Sequence, residues 1–160
     1  MRRDLIALPD TAKVWVYQAN RLLNDEETLR IQSEIYDFTM KWKSHGQDVD
    51  SYGHIFHKLF LVFVADETNH VSGCSIDSSV HFIQALGSKY NVDFFDRLNY
   101  VFFENDKINR IFHTDMKTGL SEGRIKNETL FFNNLVNNKE AFINDWVTPL
   151  NESWLNRYID

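Results

Sequence analysis

The sequence predicts an α+β fold: a mostly antiparallel sheet packed with several helices in one domain covering residues 1–160. Strand-like and helix-like segments alternate irregularly, without the regular strand–helix rhythm of a doubly wound parallel sheet. Two strand-like runs, 98–103 and 108–113, are separated only by the polar Glu104-Asn105-Asp106-Lys107, which reads as a hairpin with a four-residue loop. No internal repeat, low-complexity stretch or Pro/Gly/Ser linker divides the chain, which has 6 Gly and 2 Pro.

Taken in order, Val14-Trp15-Val16-Tyr17 is β-branched and aromatic and predicts a short strand. Asn24 then offers an N-cap with Glu27 three residues on, a capping box. Ile31, Ile35, Phe38 and Trp42 follow on one face of a helix, with His45 near its end and Gly46 as its terminating glycine. Residues 54–65 read as one strand, and the apolar run 59–65 within it predicts cover on both faces. A polar turn at 66–70 and a short returning strand at 71–76 are expected next. Asp77 then caps a helix that carries Val80, Ile83, Leu86 and Tyr90. After the hairpin, Thr114 caps a short helix that ends before Gly123, and 129–133 forms another strand. Residues 139–146 are helical and stopped by Pro149, and Trp154 and Tyr158 pack back on a final turn.

Composition narrows the function classes. Aromatic residues reach 14%, driven by 13 Phe, which reads first as an aromatic core and second as an aromatic pocket or interface. Net charge is −6 with a pI near 5.5, and the Lys and Arg residues are scattered, so no nucleic acid is expected as a partner. A single cysteine, Cys74, precludes an internal disulfide and points to a reducing compartment. Asp4, Pro9 and Asp10 break any apolar leader after Arg2-Arg3, and no run is long enough to span a bilayer. A cytoplasmic protein with no membrane insertion is the expectation.

The most distinctive segment is 72–79. Cys74 lies ahead of a predicted helix start, where helix N–H groups or a nearby His lower a thiol pKa; His81, His45 and His113 are the candidate bases. Cys74 with His81 would make a cysteine-dependent hydrolase or transferase, whereas the simpler reading is a buried structural cysteine. Ser72, Gly73, Ser75, Asp77, Ser78 and Ser79 form a candidate ligand-binding set, because small residues and hydroxyls at a helix N-terminus suit an anion. Against that, Asp77 as a cap would already occupy those donors. No metal site is predicted: His54 and His57 on one strand would point to opposite faces. Arg21 and Arg97 are candidate anion holders or surface ion-pair partners. Trp15, Trp42, Trp146 and Trp154 are candidate pocket walls, with Trp42 assigned to the core, and Asn133-Asn134 offers amides to a ligand or to a turn.

Taken together, residues 14–21, Trp42 with His45-Gly46, residues 72–83, 132–136 and 146–149, and Ser153-Trp154 resemble an uncharacterised family of Bacteroidetes-type bacterial proteins. The likeness covers nearly the whole chain, and 72–79 is its most specific part. Members of that family often carry the label "ABC transporter ATPase", and the resemblance implies no mechanism. A P-loop requires G-x-x-x-x-G-K-[ST], and glycines at 46, 53, 73, 87, 119 and 123 supply no such spacing. The expectation is a binding domain for a small molecule or a protein, its cofactor unknown. The alternatives are the Cys74 enzyme and a nucleotide site without a P-loop.

Overall fold

The computed structural model describes residues 1–66 and 73–159, with only the backbone of 73–75. In chain order these form β1 (Lys13–Gln18), α1 (Asp25–Lys41), β2 (Lys43–Ser44), β3 (Gln47–Asp48), β4 (Ser51–Phe56) and β5 (Phe60–Ala65). There follow α2 (Gly73–Tyr90), β6 (Asn99–Glu104), β7 (Lys107–Phe112), α3 (Met116–Ser121), β8 (Leu130–Phe132), α4 (Lys139–Asp145) and β9 (Val147–Pro149). The class is α+β, and all named strand pairs are antiparallel.

The first sheet has the order β1-β5-β4. Its central β5 is buried at all six residues, which accounts for the unbroken apolar run. The predicted single strand over 54–65 is instead a hairpin. His57 and Lys58 adopt left-handed backbone (φ 56° and 55°) and reverse the chain between β4 and β5. His57 is a type that tolerates this conformation, but Lys58 is not, and neither is among the usual Gly, Asn or Pro turn signals.

One face of this sheet carries α1 and α2. The α1 capping box forms as the spacing predicts: Asn24 Oδ1 accepts from the Glu27 amide at 2.8 Å, and Glu27 Oε1 accepts from the Asn24 amide at 3.0 Å. Ile31, Ile35, Phe38 and Trp42 meet Phe63 and Phe82 in one aromatic and aliphatic cluster. The far end of α1 corrects the sequence reading. The helix stops at Lys41, and His45 and Gly46 (φ 50° and 79°) make the tight turn between β2 and β3. Gly53 on β4 lets α1 approach, since a Cβ there would lie 2.6 Å from Ile35 Cγ2. The other face is covered by Phe132, Phe142 and Trp146, which pack on Phe56 and Phe60.

The second sheet has the order β7-β6-β8-β9. Its predicted hairpin is present, but the loop is two residues rather than four. Asn105 and Asp106 (φ 52° and 62°) suffice because Glu104 and Lys107 already pair. α4 is capped by Asn138, whose side chain accepts from the Ala141 amide. It ends at Asp145, before Pro149, and 147–149 forms the edge strand β9 on β8, a position where proline's missing N–H is harmless. A second core of Phe102, Ile111, Met116, Ile125, Phe131 and Leu155 fills the outer face of this sheet. The predicted final turn is a 3-10 helix, Trp154–Tyr158.

Candidate functional site

The segment 72–79 is rearranged relative to the sequence reading. α2 begins at Gly73, so residues 73–76 are helical rather than a returning strand, and Asp77 is an exposed residue of the second turn that cannot act as the N-cap. Cys74 contributes backbone to the first turn; its side chain, that of Ser75, and residues 67–72, which hold Ser72 and all but Asp66 of the turn expected at 66–70, lie outside the described residues. His81 is exposed on α2, as is Ser78. Ser79 is turned inward: it is 1% exposed, and its hydroxyl donates to the Ile76 carbonyl at 2.7 Å. Ser79 also hydrogen-bonds Tyr17, whose phenol pKa is raised by burial more than that bond lowers it. The described part of the segment therefore belongs to the helix and its packing. His54 and His57 lie on β4 and in the turn after it, and burial lowers both pKa values. Among the described residues no three His, Cys, Asp or Glu side chains gather as a metal site would require.

Among the described residues the fold builds a cleft of about 500 Å³ where the two sheets meet, within the usual range for ligand pockets. Residues 14–18 of β1 form its back, 94–101 one side, and 132–137 with Trp154 and Leu155 the other. Its walls are aromatic. Tyr17 and Phe95 meet edge-to-face at 5.6 Å, and Tyr100 and Trp154 do so at 5.6 Å. Phe95, Leu135 and Trp154 are exposed at 36%, 65% and 38%, so apolar surface continues to the rim. Of the four tryptophans, Trp15 and Trp154 line this cleft, whereas Trp42 and Trp146 are core residues.

The polar part of the cleft is a chain of side-chain amides. Gln18, 4% exposed, donates to the Asn99 carbonyl at 2.8 Å and to Asp96 Oδ2 at 3.3 Å, and accepts from Asn134 Nδ2 at 2.9 Å. Asn134 Oδ1 in turn accepts from Trp146 Nε1 at 3.2 Å. The Asp96 carboxylate also takes the Leu98 amide and Asn99 Nδ2. Every group in this chain has a partner, which makes the floor rigid. Asn133 serves its own turn by accepting from the Leu135 amide.

Two guanidinium groups stand at the cleft without a carboxylate partner among the described residues. Arg97 lines it and is exposed, and Asp96 bonds elsewhere. Arg157 lies over the Trp154 ring at 4.9 Å and donates to the Tyr100 and Tyr158 hydroxyls, both at 3.3 Å. Burial, followed by the Tyr158 hydrogen bond, raises the Tyr100 pKa, so this phenol stays protonated at neutral pH. Arg21, the other candidate anion holder, is committed to structure. It forms a two-point pair with Glu27 (3.0 and 2.7 Å) and donates to the Tyr90 carbonyl at the end of α2.

No family model, curated protein or solved structure matches the chain. The sequence reading singled out Arg97, Trp15, Trp154 and Asn134 separately and did not join them; Tyr17, Gln18, Phe95 and Tyr100 it did not place at a site. No helix among the described residues is long and apolar enough to cross a membrane.

Proposed function

We propose that the chain is a binding domain whose site is the cleft between the two sheets, and that its ligand is a small amphipathic anion. The observation that carries this reading is the pairing of aromatic walls with two guanidinium groups that no carboxylate among the described residues neutralises, in a protein of net charge −6. An apolar ligand body would bury against Tyr17, Phe95 and Trp154, and a carboxylate would take Arg97 in a two-point hydrogen bond. Among the described residues of the cleft no nucleophile stands with a base, and the reading is of binding without turnover.

The test is calorimetric titration with 3-phenylpropionate at low salt, backed by the thermal shift that a ligand of the folded state must produce. Saturable binding that is weakened about tenfold or more by Arg97→Ala, with exposed Lys126→Ala as a neutral control, supports the reading. Binding that is indifferent to Arg97 would contradict it.

A further inference from the structure

The back of the cleft is a strand edge with a gap in it. Ala19 donates to the Leu59 carbonyl, which fixes the odd-numbered residues of β1 as those that exchange hydrogen bonds with β5. The even-numbered residues therefore aim their N–H and C=O at the opposite edge. At one end of that edge the Val14 amide bonds the Asn137 carbonyl, and the Lys139 amide bonds the Ala12 carbonyl. At the other end Gln18 bridges Phe95, its carbonyl taken by the Asp96 amide. Between these two closures the Val14 carbonyl and both the N–H and the C=O of Val16 have no partner among the described residues. Val16 is partly exposed and lines the cleft.

We infer that the cleft receives the free C-terminal end of a peptide, which adds one residue of strand to β1 at Val16 and places its carboxylate on Arg97. This rests on the cleft being a binding site and names the ligand class. Three observations select it. The carboxylate lies at the Gln18 end only if the guest runs parallel to β1, and then the donor and acceptor of Val16 match the C=O and N–H of the guest residues on either side of the one opposite it, which an ordinary carboxylic acid does not offer. The gap is short: Val14 to Gln18 is four strand steps, about 13 Å, and both ends are closed by the chain itself. A long guest strand would meet residues 137 and 95, so the occupant must end there. Arg97 has no carboxylate partner among the described residues and stands beside the closed end formed by Phe95 and Asp96, which accounts for a terminal carboxylate rather than an internal side chain. The last guest side chain would then lie among Tyr17, Phe95 and Trp154.

The experiment varies the ligand first, on the unsubstituted protein, and adds one variant at the exposed Arg97. Acetyl-Gly-Val-Phe with a free carboxylate is titrated beside its C-terminal amide, its analogue methylated on the phenylalanine nitrogen, and 3-phenylpropionate. The expected result is that the free acid binds at least about tenfold more tightly than each of the other three. Arg97→Ala should bring the acid down to the level of the amide. Equal binding of acid, amide and N-methyl peptide would overturn the inference. So would 3-phenylpropionate binding through Arg97 as tightly as the peptide, but that outcome leaves the cleft reading standing. If neither peptide nor 3-phenylpropionate binds at millimolar concentration, both fall.

Discussion

Asn134 bonds Gln18 across 116 positions of sequence, its Nδ2 donating to Gln18 Oε1 at 2.9 Å while its own Oδ1 accepts from Trp146 Nε1. One side-chain amide thus links the end of β1 to the turn after β8 and to the aromatic core. Asn134→Ala would leave a buried amide oxygen and an indole N–H unpaired. The expected cost is about 1–3 kcal/mol for each group that water does not reach. Urea unfolding should show a lower midpoint with an unchanged slope.

Gly53 is required by contact, not by backbone conformation. Gly53→Ala places a Cβ 2.6 Å from Ile35 Cγ2 and 2.9 Å from Phe63 Cε1. Overpacking of this kind costs about 1–3 kcal/mol. Thermal unfolding of the variant should show the loss, and combining Gly53→Ala with Ile35→Ala, which removes the Cγ2 methyl, should cost less than the sum of the two single substitutions.

Glu27 titrates far below an ordinary carboxylate. Its pKa is lowered to about 2, first by the Arg21 hydrogen bond and then by the Asn24 amide. The folded pKa is depressed, so this contribution to stability is complete above the unfolded value of about 4.3 and is lost as pH falls toward 2. Carbon-detected NMR titration of Glu27 should show the shift, and Arg21→Ala should move the midpoint back toward 4.3.

His54 and His57 act at higher pH. Burial lowers both pKa values, with Arg2 adding to the effect at His54. The unfolded chain therefore takes up these protons first, near pH 6.5, and stability declines as pH falls below that value. His57→Asn keeps a residue that tolerates the left-handed turn. This variant should show a smaller drop in Tm between pH 7 and pH 5 than the unsubstituted chain.

The sequence made local chemistry legible and long-range geometry illegible. Asn24 and Glu27 announce the start of α1 because a capping box is complete within four residues. The six buried residues of β5 announce a central strand because both faces must be apolar. The turn at His57-Lys58 carries none of the Gly, Asn or Pro signals of a reversal, so β4 and β5 read as one strand. Gly46 is where a helix-terminating glycine is expected, yet its positive φ serves the turn between β2 and β3. Asp77 has the residue type of a cap, yet α2 starts four residues earlier, at Gly73. The cleft had no local signal, since its back, sides and rim come from four separated stretches of chain. Gln18, a polar residue directly after the apolar run 14–17, was the one hint of it.

Amide-resolved NMR titration tests the central claim most directly, with 3-phenylpropionate and acetyl-Gly-Val-Phe added in turn to labelled protein. The account predicts saturable shifts clustered at Val16, Phe95, Arg97, Tyr100 and Trp154, with the Val16 amide moving only for the peptide. Shifts confined to the N-terminal turns of α2, around Asp77 and His81, would contradict it, as would the absence of any saturable shift.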